Sequence, residues 1–429
     1  MTYKTFTLGC KVNAYETDAV ASLLNARGYH EANENEIVDV IIINTCSVTS
    51  TSDQKSRQHI RKFHKLYPEA IIVVMGCYAQ VDPESVSSLP GVSIVIGASD
   101  RHRIPDLIEQ YKQHSQAIIT VEKNQRNFDY EDFGVTSFTH NSRAYLKIQD
   151  GCDNFCSYCI IPYSRGRLRS RPVESIITEI KDLVSHEYKE IILTGIHTGG
   201  YGSDLDGFTF SDLVATILRE VPNLFRLRIS SIEENEVTPD LLNIMAQSSV
   251  MARHLHLPLQ SGSSSVLKRM NRKYDTAAFL AKVKMIRDYL PDIALSTDVI
   301  VGFPGETEEE FTETYNFIKQ ANFMRLHVFP FSPRSGTSAA RMKNQVSPEV
   351  KKERVNRLIS LSEELEADYE RRFIGRKVEV IFEEYDETSH FAIGHTSNYL
   401  VAKYPSPVAI HGQIKDIIFQ IYTHDINKK

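Results

Sequence analysis

The sequence predicts an α/β protein in three parts: a doubly wound parallel sheet, a partial (β/α)6 barrel and a small antiparallel β-barrel. Three observations predict this arrangement. Continuous apolar runs of strand length alternate with amphipathic helices in the first third, as in buried parallel sheets. Further strand–helix units follow through the middle of the chain. The last sixth changes to short strands of alternating polarity separated by Gly, Asn, Pro and Ser turns.

The bulk composition indicates an ordinary globular chain. The 429 residues are 41% hydrophobic and 24% charged, enough for two or three domains. No apolar run of about 18 residues is present and the first residues lack a signal-peptide pattern, so we expect no membrane partner. Six cysteines without a signal indicate a reducing compartment, which predicts a cytoplasmic location. The net charge of −6 excludes a uniformly basic nucleic-acid binder but allows local basic patches.

The first third predicts a flavodoxin-like sheet. Its strands are Tyr3–Leu8, Val38–Ile43, Ala70–Met75 and Ser93–Ile96, with helices over Asn13–Gly28 and Ser52–Leu66. A cysteine follows each of the first three strands: Cys10, Cys46 and Cys77. Because the carboxyl ends of parallel strands share one edge, these thiols can meet at one point. Three thiolates hold a [4Fe–4S] cube with one iron open, so the arrangement predicts a cluster.

Polar residues beside Cys46 are candidates for tuning this cluster. Asn44, Thr45 and Ser47 carry donors that suit hydrogen bonds to cluster sulfurs. Ser47 and Thr49 suit capping of the following helix equally well.

The middle of the chain predicts a barrel of strand–helix units. Its strands are Ala144–Gln149, Glu190–Thr194, Arg226–Ser230, His254–Leu257, Ile293–Val301 and Arg325–Phe329. Helices are expected over Val173–His186, Pro239–Gln247, Ser263–Met270, Thr276–Tyr289 and Glu308–Ala321. Six strands fall short of a closed eight-stranded barrel, so we expect a TIM-like partial barrel with its active site at the carboxyl ends of the strands. Residues 124–141 lack a clear period and predict a linker.

A compact cysteine motif follows the first barrel strand. Cys152, Cys156 and Cys159 are spaced Cys-x3-Cys-x2-Cys, which again supplies three ligands to a cube and leaves one iron open. A zinc site would need a fourth Cys or a His at suitable spacing, and none lies close by. An open coordination position is what a metal centre needs to bind a substrate or cosubstrate.

With Tyr158 before its last cysteine, this motif resembles the signature of radical S-adenosylmethionine enzymes. The resemblance implies that the open iron chelates the amino and carboxylate groups of S-adenosylmethionine, and that Tyr158 lies against the adenine. Polar residues at the strand ends are then candidates for holding this cosubstrate: Gly195, Ser231, Glu233, Gln260, Asp298 and Gly302. Each alone suits capping or turn formation equally well, and only their shared rim favours binding.

The segments around the first three cysteines resemble the amino-terminal domain of the methylthiotransferases. They are Leu8–Glu16, Asn44–Thr49 and Gly76–Gln80. With the central motif, the resemblance spans nearly the whole chain. Gly-Cys-Lys-Val-Asn at residues 9–13 resembles the branch that acts on N6-threonylcarbamoyladenosine at position 37 of tRNA.

Two basic runs are candidates for phosphate contacts. Arg165, Arg167, Arg169 and Arg171 alternate directly after the central cysteine motif. Because guanidinium groups match phosphates and carboxylates bidentately, they suit the RNA backbone or the cosubstrate, and we expect RNA. The second run suits a phosphate surface or a solvated helix face: Lys55, Arg57, Arg61, Lys62 and Lys65.

The end of the chain predicts a helical connector, Pro348–Arg372, and a small β module. Its strands are Val378–Glu383, Phe391–His395, Leu400–Lys403 and Ile414–Tyr422. The pattern resembles the TRAM domain, an OB-like module that binds RNA. Residues 373–429 hold 6 basic and 7 acidic side chains, a weak electrostatic footprint for RNA. Stacking of aromatic side chains on RNA bases would have to compensate for the weak positive charge. The candidate side chains are Tyr385, Phe391, Tyr399 and Tyr404.

The resemblance divides the chain into a methylthiotransferase domain (1–122), a radical S-adenosylmethionine core (138–372) and a TRAM-like domain (373–429). It implies methylthiolation of carbon 2 of the modified adenosine by two [4Fe–4S] clusters and S-adenosylmethionine. The barrel cluster would cleave the cosubstrate to a radical and the other would present sulfur. The implied partners are a tRNA anticodon loop and an electron donor such as flavodoxin or ferredoxin, and we expect a monomer.

Four alternatives stay open. The same chemistry could act on isopentenyladenosine in tRNA or on a ribosomal protein aspartate. An electron carrier or RNA-binding sensor would bind clusters without cleaving S-adenosylmethionine. A zinc-binding module would be colourless, whereas iron–sulfur proteins absorb visible light.

Overall fold

A computed structural model describes residues 1–47, 50–122, 129–134 and 142–421. Most of the predicted linker, residues 124–141, therefore lies outside the described residues. Within the described ranges, no helix combines the length and apolar character needed to cross a bilayer.

The first part of the chain forms a six-stranded parallel sheet. Its elements are β1 (Thr2–Thr7), α1 (Lys11–Ala26), β2 (His30–Glu31), β3 (Val40–Thr45), α2 (Ser50–Leu66), β4 (Ile71–Gly76), α3 (Cys77–Val81), α4 (Pro83–Ser87), β5 (Val92–Ile96), α5 (Ile104–His114) and β6 (Ile118–Thr120). The strand order β2-β1-β3-β4-β5-β6 confirms the flavodoxin-like prediction. The direction of winding reverses between β1 and β3, and such switch points are where these sheets bind ligands.

Helices cover both faces of this sheet, which explains the unbroken apolar runs in its strands. Val40 and Ile42 pack into the core on one face, whereas Ile41 and Ile43 pack into the core on the other. All four side chains are fully buried. A strand with one solvated face would instead alternate apolar and polar residues.

The middle of the chain forms the predicted partial barrel. Its elements are β7 (Arg143–Asp150), α6 (Ile161–Arg165), β8 (Arg169–Ser170), α7 (Val173–Ser185), β9 (Glu190–Gly195), α8 (Phe210–Glu220), β10 (Arg226–Ile229), α9 (Pro239–Gln247), β11 (His254–His256), α10 (Ser264–Arg269), α11 (Thr276–Tyr289), β12 (Ala294–Val301), α12 (Glu308–Ala321) and β13 (Arg325–Pro330). Parallel pairing joins β7, β9 and β10, and likewise β11, β12 and β13. A bridge between Leu227 and Met251 connects the two groups.

Helix α8 is absent from the sequence prediction. Thr209 begins it with a capping box, in which the Thr209 side chain and the Asp212 carboxylate each accept the other residue's backbone N–H. One face is buried: Phe210, Leu213, Val214 and Ile217. The helical period is present, but the glycine- and aspartate-rich stretch before it, residues 199–207, resembles a long loop.

A long helix leads to the C-terminal sheet. Helix α13 (Pro348–Arg371) packs along β13 and is followed by β14 (Lys377–Asp386), β15 (Phe391–Thr396), β16 (Val401–Pro405) and β17 (Ile414–Ile418). These four strands pair antiparallel in the order β16-β15-β14-β17, as predicted. The last predicted strand residue, Tyr422, lies outside the described residues.

Buried charges join the first sheet to the barrel. The carboxylate of Glu16 in α1 is fully buried and accepts hydrogen bonds from Lys147 (2.8 Å) and Arg165 (2.5 and 3.0 Å). It also pairs with Arg101 at 2.6 Å. Burial alone would raise the pKa of Glu16, but the three cations hold it well below its usual value. Because removing one partner of such a group is costly, these contacts fix α1 against β7.

The C-terminal sheet packs against the amino-terminal ends of the barrel strands. Glu190, at the start of β9, accepts hydrogen bonds from Arg228 (2.7 Å) and Arg226 (3.3 Å), and Arg226 also reaches Glu379 in β14 (3.1 Å). Burial alone would raise the pKa of Glu190, but Arg228 and Arg226 lower it to about 2. Tyr399, predicted to stack on RNA, instead lies with its ring centroid 3.8 Å from the Arg228 guanidinium carbon. The module thus covers the barrel end opposite the predicted active-site rim.

Candidate active site

Cys152, Cys156 and Cys159, called the barrel trio below, lie in the loop between β7 and α6. Gly151 opens this loop at φ +73°, and a Cβ there would lie 1.8 Å from the carbonyl oxygen of Arg167, so only glycine fits. The Cys159 N–H donates to the Cys156 carbonyl at 3.0 Å, which closes a tight turn. The loop therefore presents three nearby thiols at the carboxyl end of the first barrel strand.

Two cationic side chains that the sequence analysis does not single out contact the barrel trio. Arg272 Nη1 donates to the Cys156 Sγ at 3.4 Å. Burial alone would lower the pKa of His197, but hydrogen bonds to Cys152 and to a neighbouring glutamate raise it to about 10. Both cations stand beside sulfurs that must be thiolates to bind metal, and positive charge stabilises that form.

Cys10, Cys46 and Cys77, called the amino-terminal trio, follow β1, β3 and β4. The carboxyl ends of these three neighbouring strands meet at the switch point, as the sequence predicts. Cys10 is exposed, whereas Cys46 and Cys77 are buried. A Cβ on Gly9 would lie 3.1 Å from the Cβ of Cys46, so the first two cysteine-bearing turns approach closely. The trio is assembled from three segments that are distant in sequence.

The polar side chains beside Cys46 donate their hydrogen bonds to oxygen atoms and not to sulfur. The side chains of Asn44 and Thr45 donate to backbone carbonyls at 2.9 and 2.7 Å, and Ser47 donates to Asp53 at 3.1 Å. The prediction that they bond to cluster sulfurs is therefore wrong. Thr49, the capping alternative, lies outside the described residues.

A barrel residue supplies the cationic contact to the amino-terminal trio. Arg165 Nε donates to the Cys77 Sγ at 3.3 Å. The rest of its guanidinium group binds Glu16 and also Asp150 at 3.3 Å, and the side chain is fully buried. The barrel thus places a fixed positive charge on a ligand that belongs to the other part of the molecule.

Both donor sets fit a [4Fe–4S] cluster better than a single ion. Among the described residues, which include all six cysteines, no three His, Cys, Asp or Glu side chains converge on a single-ion site. Thiolates around a cube lie farther apart than the ligands of one ion, and three of them leave one iron open. Burial raises the pKa of Cys159 to about 12, so this thiol gives up its proton only when metal binds.

Two adjoining cavities lie beside the amino-terminal trio and extend toward the barrel strands. The larger, about 700 Å³, extends from Cys10 into the barrel interior between β11, β12 and β13. The smaller, about 630 Å³, lies between Cys46 and Tyr158, which belongs to the loop of the barrel trio. Four residues line both cavities: Gly9, Cys10, Asp298 and Phe329. The connected space is therefore bordered by Cys10 and Cys46 of the amino-terminal trio and by Tyr158 from the loop that carries the barrel trio.

Five of the seven residues predicted to hold S-adenosylmethionine line this space. Gly195 and Ser231 border the larger cavity, Tyr158 and Gln260 border the smaller one, and Asp298 borders both. The ring of Tyr158 also packs against Phe303 in a T-shaped contact, with a centroid distance of 6.5 Å. The barrel brings these residues together although they come from five different strands or the loops that follow them.

The other two residues lie elsewhere. Glu233 forms an ion pair with Arg272, the arginine that contacts the barrel trio. The Gly302 N–H donates to Glu306, and a Cβ on Gly302 would lie 2.4 Å from Lys351 of α13. Neither residue lines the two cavities, since Glu233 pairs with Arg272 and Gly302 forms a packed turn, so their contact with the cosubstrate stays a prediction.

Burial also corrects the prediction that the arginines after the barrel trio bind RNA. Arg165, Arg169 and Arg171 are 0%, 9% and 0% exposed. Arg169 donates to the carbonyls of Arg165 and Arg167 at 2.7 and 2.8 Å, and Arg171 pairs with Glu179. Because internal acceptors satisfy these guanidinium groups, a phosphate cannot reach them. Of the four, only Arg167 is exposed.

The basic run on α2 offers a more accessible surface. Lys55, Arg61, Lys62 and Lys65 are exposed, and Arg57 is partly buried. Lys55 also lines the smaller cavity beside Cys46. The run is therefore a charged helix face that leads to the mouth of the candidate site.

Sequence reasoning misses the buried charges because their partners are remote. Glu16 is bonded to Lys147 and Arg165, which are 131 and 149 residues away along the chain. The available signal is its position, since Glu16 is the one charged residue on the buried face of α1, with Tyr15 and Ala19 buried beside it. Arg272 carries no comparable signal, because it lies in a short polar turn after α10.

Two families match parts of the chain. Residues 146–318 match the Radical SAM superfamily, and residues 2–97 match the uncharacterized protein family UPF0004. The first match covers the barrel with the trio Cys152, Cys156 and Cys159. The second covers the sheet that carries Cys10, Cys46 and Cys77.

Characterised relatives match almost the whole chain. The threonylcarbamoyladenosine tRNA methylthiotransferase MtaB of Bacillus subtilis strain 168 is 46% identical over 412 residues, 95% of this chain and 91% of that protein. The protein of the same name from Rickettsia prowazekii strain Madrid E is 36% identical and covers 95% of this chain and 92% of its own length. A tRNA-2-methylthio-N(6)-dimethylallyladenosine synthase of Caldicellulosiruptor saccharolyticus is also 36% identical, over 92% of this chain and 85% of that protein.

A solved structure shares the fold. The radical S-adenosylmethionine methyltransferase TsrM from Kitasatospora setae superposes with a TM-score of 0.60 at 12% identity. The alignment covers 85% of this chain and 89% of that one. At this identity the likeness concerns the fold alone.

Proposed function

The chain belongs to the methylthiotransferase family of radical S-adenosylmethionine enzymes, in the threonylcarbamoyladenosine branch, and on this premise we propose its reaction and its division of labour. It converts the C2–H bond of N6-threonylcarbamoyladenosine at position 37 of tRNA into C2–S–CH3. The observation that carries the proposal is the connected space bordered by Cys10 and Cys46 of one cysteine set and by Tyr158 from the loop that holds the other set. A one-cluster enzyme would need only one set of three cysteines.

The bond to be broken explains why the reaction needs iron–sulfur clusters and S-adenosylmethionine. Carbon 2 of an adenine has neither an acidic proton nor a leaving group, so acid–base or nucleophilic catalysis has no starting point. When bound, a cluster on the barrel trio would supply the electron that cleaves one S-adenosylmethionine, and a cluster on the amino-terminal trio would supply the sulfur. The C2 hydrogen would leave in 5′-deoxyadenosine, and a second S-adenosylmethionine would supply the methyl group. The barrel walls exclude water from this reactive space.

The cosubstrate is held at the barrel rim. The proposed contacts are Tyr158, Gly195, Ser231, Gln260 and Asp298, which line the space beside the barrel trio. Arg272 and His197 contact the cluster ligands Cys156 and Cys152, and they place positive charge beside these thiolates. Arg165 of the barrel likewise places positive charge beside Cys77 of the amino-terminal sheet.

The RNA approaches along α2. Its exposed face carries Lys55, Arg61, Lys62 and Lys65, and Lys55 stands at the cavity that leads to Cys46. The target base must leave its stack to enter the cavity, which costs less in an anticodon loop than in a duplex. Exposed Arg167 supplies a further phosphate contact beside the barrel trio.

The same proposal assigns residues 1–122 to sulfur delivery, 138–372 to radical generation and 373–429 to RNA binding. We propose that the chain acts as a monomer, and each copy carries both cysteine sets. A reduced flavodoxin or ferredoxin donates the electron. The location is the cytoplasm, where the tRNA substrate and reduced thiols coexist.

Nucleoside analysis tests the reaction. Full-length protein, reconstituted anaerobically with iron and sulfide, is incubated with S-adenosylmethionine, reductant and tRNA that carries N6-threonylcarbamoyladenosine. Mass spectrometry should detect the methylthio derivative together with 5′-deoxyadenosine. Parallel reactions contain dimethylallyladenosine tRNA or ribosomal protein. A product confined to either of these substrates would overturn the proposed substrate but not the chemistry.

A further inference from the structure

The larger cavity carries a cation whose role the reaction so far does not explain. Lys11, the first residue of α1, lines this cavity directly after the cluster ligand Cys10. Its Nζ lies 5.9 Å from the ring centroid of Tyr145 in β7, so the side chain extends from the amino-terminal trio into the barrel. Cys10 and Lys11 therefore present a thiol and an ammonium group to the same space.

Within the described part of the chain, no carboxylate forms an ion pair with Lys11. The nearest carboxylate that acts on it electrostatically is Glu190, which already accepts hydrogen bonds from Arg226 and Arg228. The other permanent cation lining the cavity, Arg325, pairs with Glu366. Among the described residues, Lys11 is thus a cation on the cavity wall that forms no ion pair with a carboxylate.

Among the described residues that line this cavity, Asp298 carries the one carboxylate, and the histidines add no negative charge. Burial and neighbouring cations lower the pKa of His254 and of His327, so both are neutral. His256 hydrogen-bonds to Ser296 at 2.9 Å and lies 3.3 Å from Asp298, which occupies that carboxylate. The part of the cavity around Lys11 therefore has an excess of positive charge, which a ligand anion would balance.

The two classes of tRNA-modifying relatives differ in the adenosine substituent that their names specify. A threonylcarbamoyl group ends in a carboxylate, whereas a dimethylallyl group is a hydrocarbon. Resting on the proposed function, we propose that Lys11 binds the threonyl carboxylate of the substrate and thereby selects it over hydrocarbon-substituted adenosines. An apolar substituent would leave the ammonium desolvated and unpaired, so one side chain both attracts the correct base and rejects the wrong one.

The position of Lys11 suits this role. Because Cys10 is a ligand of the sulfur-delivering cluster, carbon 2 of the base must come close to it. The N6 substituent then extends away from that point, toward the barrel interior where the Lys11 side chain lies. The adjacency of Cys10 and Lys11 fixes the reacting carbon and the carboxylate relative to each other.

The test compares acid and ester substrates. Anticodon stem-loop RNAs carry N6-threonylcarbamoyladenosine or its methyl ester, which removes the charge but keeps the size. The reconstituted full chain should prefer the acid by about 100-fold in kcat/KM, the scale expected for losing one partner of a buried charge pair. Lys11→Met should lose most activity on the acid and the preference with it, chiefly through KM. Lys11→Arg should retain the preference.

A matched control is Lys284→Met, which removes an exposed lysine of α11 that pairs with Asp288. It should behave as the wild type with both RNAs. Wild-type protein that treats acid and ester alike, or Lys11→Met that keeps the full preference, would overturn the inference. The inference would also be overturned if Lys11→Met lost RNA-independent 5′-deoxyadenosine formation as strongly as it lost methylthiolation. That result would assign the lysine to the cosubstrate. If the wild type modified neither RNA, the proposed function itself would fail.

Discussion

The two cysteine sets reach the same chemistry by opposite routes. The barrel trio lies within eight residues of chain, on one loop whose turn is fixed by Gly151. The amino-terminal trio is drawn from three strand ends and receives its cationic contact from Arg165, a residue of the barrel. The barrel trio therefore depends on local geometry, whereas the amino-terminal trio depends on the sheet and on its docking. Substitutions that disturb the contact between the amino-terminal sheet and the barrel should therefore impair only the amino-terminal trio.

The largest expected effect breaks one trio and spares the other. Cys156→Ala removes a barrel ligand and should abolish 5′-deoxyadenosine formation while leaving about half of the iron, because one of two clusters is lost. Cys46→Ala should retain cosubstrate cleavage and lose methylthiolation. Iron content and product analysis of the two variants check this division. Equal loss of both activities in the Cys46 variant would mean that the two sites are not separable.

The next effect concerns docking. Glu16→Gln leaves Arg101, Lys147 and Arg165 without their shared carboxylate and should lower the free energy of unfolding by about 3–5 kcal/mol, as expected for a broken buried charge group. Urea unfolding measures the loss. Iron should be lost from the amino-terminal trio before the barrel trio.

Its control is Glu109→Gln, which removes the exposed ion pair with Lys112 and should cost about 0–1 kcal/mol. If Glu16→Gln were as harmless as this surface substitution, the buried charges would not be what docks the two parts.

A smaller effect concerns the cluster potentials. Arg165→Gln removes the positive charge beside Cys77 and should lower the reduction potential of the amino-terminal cluster by about 60 mV, equivalent to ~1.4 kcal/mol for one electron. Redox titration followed by electron paramagnetic resonance measures each cluster separately. Arg272→Gln, beside Cys156, should shift the barrel cluster instead. A common shift of both clusters in either variant would contradict the pairing of one arginine with one trio.

The smallest effect distinguishes two paths for the RNA. Lys55 stands beside the amino-terminal trio and Arg167 beside the barrel trio, and both are exposed. Lys55→Met should weaken tRNA binding uniformly and reduce the slope of log K against log salt by about 1. Fluorescence anisotropy across a salt series measures it. A change in Arg167→Met without one in Lys55→Met would place the RNA on the opposite side of the cavity.

The sequence predicted whatever depends on short-range pattern. The Cys-x3-Cys-x2-Cys spacing determined the barrel trio, since eight residues of chain cannot separate its thiols widely. The apolar runs determined the parallel strands, and a cysteine after three of them placed Cys10, Cys46 and Cys77 at one edge, because parallel strands end together. Family membership followed from the same segments.

Only the tertiary structure decided which charged side chains are accessible to a ligand. Four alternating arginines look alike in sequence, yet three are buried against acceptors and Arg167 alone is exposed. Gly302 likewise packs against Lys351, and Tyr399 packs on Arg228 at the wall of the larger cavity instead of on an outer RNA-facing surface. The physical reason is that the effect of a charge depends on its distance from other charges and from water. Those distances, as for Glu16 with Lys147 and Arg165, are set by contacts between residues far apart in the chain.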